Sequence, residues 1–232
     1  MPFFYEPKLV DANLPFVLSE ATSKHCVQVL RMKVGESLNL TDGKGNLYIA
    51  SLLSADKQKS VALIEKTSFT PQSNNCNSIG ISVLKNADRF EWMLEKITEI
   101  GIKDIYPLIC KRTEHQRFRY DRMQQILVAA MLQSEQVWLP VLHEPIDVIK
   151  LIQTAMHPQK LIAHCEEDSK NTINNLAATS NYLILIGPEG DFTPEEISLA
   201  KSKAFLPVSL GNTRLRTETA GVVAITLLAN RS

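Results

Sequence analysis

Downstream of residue 78, short apolar runs are interspersed with helix-like segments, and that rhythm constrains the fold more than any other feature of the chain. The runs are IGISVL, IKDIYPLIC, KLIAHC, YLILIG and FLPVSLG. The helical segments are DRFEWMLEKITEIG (closing at Gly101), DRMQQILVAAMLQSEQ, IDVIKLIQTAM, TPEEISLAKSK and a last one carrying AGVVAITLLA. Strands alternating with helices predict a mostly parallel sheet covered on both faces. Such sheets bind ligands just beyond the carboxyl ends of their strands, so the loops that leave the apolar runs are the place to look for chemistry.

The first third reads differently. KHCVQVLR, residues 24–31, suits a short helix. ESLNL, NLYIASLL and SVALIEK are short runs rich in β-formers, separated by TDGKG and SADKQK. Asp42-Gly43 and Gly45 are hairpin signals. Closely spaced strands of this kind predict a small antiparallel barrel over residues 1–70. TPQSNNCNS, residues 70–78, is polar and turn-rich and reads as a linker into a second domain, 77–232.

A chain of 232 residues with 44% hydrophobic and 22% charged residues is an ordinary globular composition. Its formal net charge of zero gives no global electrostatic vote for nucleic acid, though a local basic face remains open. No apolar run reaches the roughly 18 residues of a membrane span, and the N-terminus lacks the pattern of a secretion signal. The four cysteines are widely spaced without a CxxC pair, as expected of free thiols in a reducing cytoplasm. The histidines show no ligand spacing, so no metal is expected.

Three stretches carry most of the chemical equipment. In YLILIGPEGDFTPEEI, the strand stops at Gly187. Pro188, Glu189 and Gly190 then make a tight loop, and Thr193-Pro194-Glu195-Glu196 opens a helix as N-cap, first-turn proline and capping-box glutamate. Neither GxGxxG nor GK[ST] is present, and Glu189 would repel phosphate, so a ligand with a positive centre suits this loop better. The bland alternative is a connection that simply needs glycine. In LGNTRLRTETA, Leu210 to Ala220, Gly211 again follows a strand, Thr217 or Thr219 can cap the last helix, and Ala220 and Gly221 keep its first turn slim for close approach. Its alternative is a solvated turn with weak surface ion pairs. In CKRTEHQRFRY, Lys111, Arg112, Arg117 and Arg119 are interleaved with Phe118 and Tyr120, a mixture suited to base stacking beside phosphate contacts, and equally to a solvated loop. Arg31, Lys33 and Lys44 add a weaker basic signal near the loops of the first domain. On DRFEWMLEKITEIG, helical spacing assigns Trp92, Met93, Ile97 and Ile100 to the core, and Glu95, Lys96 and Glu99 to a solvated face.

Taken in order, HCVQVLRMKVGESLNLTDGKG, KNADRFEWMLEKITEIGIKDIYPLICKRTEHQ, LIGPEGDFTPEEI and LGNTRLRTETA resemble the ribosomal RNA uridine N3-methyltransferases of the SPOUT superfamily. The resemblance spans most of the chain, and its last two segments are specific as a pair. It implies an α/β fold: a PUA-like RNA-binding β-barrel followed by a SPOUT domain tied in a trefoil knot. It also implies a homodimer that acts in the cytoplasm on small-subunit ribosomal RNA within an assembled or nearly assembled subunit. S-adenosylmethionine (SAM) would lie in the knot loops, near His164 after KLIAHC, along Ile186, Gly187, Pro188, Glu189 and Gly190, and along Leu210, Gly211, Leu215, Thr217 and Ala220. Arg31, Lys33, Lys44, Arg112 and Arg117 would contact RNA.

The implied reaction methylates N3 of a uridine, a nitrogen that must lose its proton. Positioning two substrates in line would supply most of the acceleration. Arg216 would stabilise negative charge developing on the uracil. Glu218 would orient Arg216 or accept the proton, the orienting role being favoured because a carboxylate beside an arginine is a weak base. The target base would leave its stack to react. Two departures from the family stand out. LQSEQVWLP keeps Gln133, Ser134 and Pro140 but lacks the usual arginine, and GPEGD places Asp191 where a third glycine is common, a change expected to be tolerated. A non-catalytic RNA-binding protein, an ordinary nucleotide-binding enzyme and a methyltransferase with another RNA acceptor are the rival readings.

Overall fold

The computed structural model describes residues 1–9, 15–73, 76–114, 117–166, 170–173, 176 and 181–230. The chain forms two compact units. One comprises residues 1–72 with 131–139; the other comprises 73–130 with 140–232.

In the first unit β1 (Phe3–Tyr5), β2 (Pro15–Val17), β3 (Ser37–Thr41), β4 (Asn46–Ser54) and β5 (Val61–Phe69) form one sheet in the order β1-β3-β4-β5-β2. The expected hairpin joins β3 to β4. Gly43 (φ 72°) and Gly45 (φ 95°) take the left-handed conformations that glycine adopts without steric cost. β1 runs parallel to β3, so the sheet is mixed rather than purely antiparallel. The expected helix starts earlier than 24–31. α1 (Glu20–Lys24) is capped by the Ser19 side chain and runs into a π-helical turn, His25–Val29. Leu38, Leu40, Ala50, Leu52 and Ala62 are fully buried and alternate with more exposed neighbours along their strands, which places one face of the sheet on the core. Residues 131–139 complete this unit as a strap. Gly45 N–H donates to the Val137 carbonyl (2.8 Å), Leu139 N–H to that of Gly43 (3.0 Å), and the Trp138 indole N–H to that of Thr70 (2.8 Å). At Gly45 a Cβ would stand 2.6 Å from the Trp138 ring, so this glycine is needed for packing as well as for its φ. In LQSEQVWLP the Gln136 side-chain amide donates to Ser134 Oγ (3.0 Å).

In the second unit the five predicted strands are β6 (Ser78–Ser82), β7 (Asp104–Ile109), β10 (Gln159–Ala163), β12 (Tyr182–Ile186) and β13 (Phe205–Ser209). Three two-residue strands, β8 (Val141–Leu142), β9 (Ile146–Asp147) and β11 (Asn171–Thr172), are too short to leave a sequence pattern. The order is β11-β13-β10-β12-β6-β7-β8, with β9 also on β7, and all these pairs are parallel. The helices are α2 (Ala87–Ile100), α3 (Tyr120–Gln133, whose end enters the strap), α4 (Val148–Thr154), α5 (Pro194–Ser202) and α6 (Thr217–Ala229). Gly101 ends α2 in the left-handed region (φ 97°).

One core assignment is wrong. Trp92 is 46% exposed, whereas Phe90, Met93, Leu94 and Ile97 are buried. The buried stripe runs through positions 90, 93, 94 and 97, which puts Trp92 on the row of Glu95, Lys96 and Glu99. That row is a solvated face as expected, with Lys96 Nζ 2.6 Å from Glu95 and 3.0 Å from Glu99. Gly221 has a different role from the one its sequence position suggests. A Cβ there would meet Ile81 Cδ1 at 2.8 Å and Met93 Cγ at 3.4 Å, so it lets α6 pack on β6 and α2.

Candidate active site

The carboxyl ends of β10, β12 and β13 lie side by side because those strands are adjacent and parallel. The loops that leave them enclose a cavity of about 730 Å³, within the range of small-molecule and cofactor sites. Ala163, His164 and Cys165 contribute one wall, Ile186 to Glu189 with Asp191 a second, and Val208 to Thr217 with Ala220 a third.

Of the residues implicated as cofactor-binding, His164, Ile186, Gly187, Pro188, Glu189, Leu210, Gly211, Leu215, Thr217 and Ala220 line this cavity. Gly190 does not. It sits beneath Arg112, whose side chain would lie 3.4 Å from a Cβ placed there. Neither glycine of GPEG takes a positive φ; the left-handed residue of the loop is Asp191 (φ 65°). Gly187 is glycine for space, since a Cβ would stand 3.1 Å from both the Phe192 backbone nitrogen and its ring. Pro188 to Asp191 form a turn closed by a bond from Asp191 N–H to the Pro188 carbonyl (2.9 Å).

Helix α5 opens with the predicted capping box. Thr193 Oγ1 accepts from Glu196 N–H (3.3 Å) and Glu196 Oε2 from Thr193 N–H (2.7 Å), while Glu196 Oε1 accepts from Lys111 N–H (2.9 Å). The last helix is not capped as expected. Arg216 occupies the N-cap without a side-chain bond, and Thr217 Oγ1 instead donates to the Gly187 carbonyl (3.0 Å). That bond fixes the first turn of α6 to the end of β12, which is how the two glycine loops come to face one crevice.

Arg216 is exposed on the cavity wall, and no ion pair to it occurs among the described residues. Glu218 does not line the cavity. It is buried at 6% exposure, with Oε1 3.7 Å from Arg89 Nε of α2 and, among the described residues, no hydrogen-bond partner for Oε2. The expected contact between Arg216 and Glu218 is therefore not found; Glu218 pairs with Arg89. Sequence spacing suggested the other pairing because residues 216 and 218 are close in the chain, but Arg216 precedes the helix and Glu218 lies within it.

Arg112 also departs from expectation. Its guanidinium donates to the carbonyls of Gly190 (2.7 Å) and Phe192 (3.3 Å), so it braces the loop after β12. Arg117 is exposed and, with Arg119, Lys85, Phe90 and Phe118, lines a second cavity of about 290 Å³. Phe118 packs edge-on against both Phe90 and Tyr120. Arg31, Lys33 and Lys44 are exposed in the first unit, and none has an ion pair among the described residues.

Cys165 and Lys170 escaped the sequence analysis, Arg214 lies in the LGNTRLRTETA segment that it singled out, and Asp191 was read only as a tolerated replacement for glycine, yet all four line the cavity. Lys170 Nζ donates to the carbonyls of His164 (2.7 Å) and Glu166 (2.6 Å), and Arg214 Nη2 reaches the Glu189 carbonyl at 3.5 Å. Their signal was one of place alone: each follows a strand end. Burial pushes the thiols of Cys110 and Cys26 up, to about 12 and about 11 respectively, which disfavours their thiolate forms, whereas Cys165 is exposed in the cavity.

A parallel α/β sheet whose strand-end loops close on a cofactor-sized cavity, preceded by a small β unit with exposed basic residues, is the architecture of a two-domain, cofactor-dependent protein. The chain belongs to the RNA methyltransferase domain family, whose model matches residues 72–229; an RNA methyltransferase PUA domain matches residues 18–65. It is 30% identical to ribosomal RNA small subunit methyltransferase E of Synechocystis, over 94% of this chain and 73% of the relative. Among solved structures it resembles a "probable rRNA-methyltransferase" from Porphyromonas gingivalis at 34% identity and TM-score 0.90, covering 97% and 96% of the two chains. It also resembles a ribosomal RNA small subunit methyltransferase E from Neisseria gonorrhoeae bound to S-adenosyl methionine, at 28% identity and TM-score 0.87, covering 97% and 95%.

Proposed function

We propose that this protein transfers the methyl group of SAM to N3 of a uridine in small-subunit ribosomal RNA. The observation that carries the reading is the cavity at the ends of β10, β12 and β13. Ile186, Val208, Leu210, Leu215 and Ala220 offer it apolar walls suited to a nucleobase, and Glu189 offers negative charge suited to a sulfonium. SAM, when bound, supplies an electrophilic methyl group. The chain's own residues do the rest. Gly187, held by Thr217, sets the floor; Arg214 and Arg112 brace the loop through Glu189, Gly190 and Phe192; and Arg216 stabilises charge on a uracil oxygen as the N3 proton passes to solvent water. The relative with bound SAM supports the cofactor, and the names of the relatives support the RNA class.

In the same reading, residues 1–70 form the PUA-like RNA-binding domain and 77–232 the methyltransferase domain. Arg31, Lys33 and Lys44 on the first, and Arg117 beside Phe118 on the second, contact RNA. A trefoil knot fits the path of the chain: β13 is separated from β12 by β10, yet α6, which follows β13, packs on β12, β6 and α2. Homodimerisation rests on the family resemblance. Cytoplasmic action is consistent with the absence, among the described residues, of a helix long and apolar enough to cross a membrane.

Two experiments test this. With labelled SAM, assembled small subunits should accept methyl groups and yield 3-methyluridine by mass spectrometry, with transfer RNA inert; any other product defeats the N3 assignment. SAM should also protect Cys165 from alkylation, because its thiol shares the cavity. Labelling of Cys165 at the same rate with saturating SAM would place the cofactor elsewhere.

A further inference from the structure

Asp191 stands where a chain needs a left-handed residue, with φ 65°, and where glycine would be the unstrained choice. Asp is among the few side chains that visit this region, because its carboxylate can bond locally. Here one oxygen does so: Oδ1 accepts from Phe192 N–H at 2.8 Å. The other does something that no glycine could. Oδ2 accepts from the backbone N–H of Cys165 at 2.7 Å. Cys165 lies in the loop after β10, Asp191 in the loop after β12, and both line the cavity.

We propose that Asp191 is a positioning residue, a latch that ties the loop after β10 to the loop after β12 and so presets the cavity for its cofactor. The assignment of the cofactor as SAM rests on the proposed function; the latch itself rests on the two hydrogen bonds. A charged acceptor on a backbone N–H is among the stronger single bonds a side chain can make. Without it, the loop after β10 loses its tie to the loop after β12, and binding bears the cost of re-forming that arrangement. A cavity wall left free in this way raises KM for SAM without touching the groups that stabilise the reacting uracil.

The test uses the whole protein and three variants. Asp191→Gly keeps the left-handed backbone accessible and removes the latch. Asp191→Asn keeps an acceptor oxygen, and Asp191→Ala removes the latch while adding backbone strain. The Cys165 amide should exchange with deuterium about tenfold faster in Asp191→Gly than in the wild type, from the loss of roughly 1.5 kcal/mol of charge-assisted bonding. KM for SAM should rise by a similar factor, with kcat at saturating SAM unchanged and Tm near the wild-type value. Asp191→Asn, whose single amide oxygen can still accept from Cys165 N–H without the charge, should restore part of both, and Asp191→Ala should lose more than Asp191→Gly. Unchanged exchange at Cys165 in Asp191→Gly would overturn the latch. Faster exchange with an unchanged KM would overturn its role in binding. Failure of the wild type to bind SAM at all would count against the cofactor assignment, and the exchange comparison would still decide the latch.

Discussion

Replacing Arg216 with alanine should reduce methyl transfer by about 10²–10³-fold, the effect of removing one preorganised group from a developing negative charge, while SAM affinity by calorimetry stays within about threefold of wild type. The expectation follows from where the side chain stands. Arg216 is exposed on the cavity wall, directly before α6, and no ion pair holds it among the described residues. A guanidinium so placed stays charged and is free to meet substrate. Arg216→Lys should recover only part of the activity, since an ammonium lacks the planar fork. Parallel loss of affinity and turnover would mean that Arg216 holds the cofactor or the fold instead. Glu218→Gln separates the remaining roles. Glu218 is buried, away from the cavity lining and beside Arg89, so a variant that keeps its shape should keep turnover at neutral pH. Loss of turnover with an unchanged Tm would restore it as a proton acceptor.

The largest loss of stability should come from Phe192→Ala, about 3–5 kcal/mol from the deleted aromatic ring and the cavity it leaves. Phe192 is fully buried among Leu183, Leu185, Ile197 and Phe205, and its ring lies against Gly187 at the floor of the cofactor cavity. The variant should unfold at lower denaturant with little change in m-value. It should also bind SAM more weakly, because the ring that supports the floor is gone. Phe192→Leu should cost much less, since most of the volume remains. A Phe192→Ala protein of wild-type stability would show that this packing is not what shapes the floor.

The fold of the second unit was legible because its signals are local. Apolar runs mark strands covered on both faces, Gly101 and Thr193 mark helix ends, and the parallel arrangement follows from the alternation of strand and helix. The hairpin between β3 and β4 was legible for the same reason, since Gly43 and Gly45 write their φ angles into the sequence. Trp92 was misplaced because several helical rows pass near it, and periodicity alone does not say which row meets the sheet. The pairing of β1 with β3, and the return of residues 131–139 to the first unit, join segments far apart in sequence with no pattern that names the partner.

The same division holds within the site. The sequence by itself determined that two glycine loops follow strand ends, that Glu189 disfavours an anion, and that a polar segment with Arg216 and Glu218 leads into the last helix. Only the tertiary structure decided how those groups are used: Arg112 braces Gly190 and Phe192, Thr217 grips Gly187, Glu218 turns to Arg89, and Asp191 reaches Cys165. Each of these contacts joins residues on different elements. Their partners are set by strand order and helix packing, which the spacing of residues along the chain does not encode.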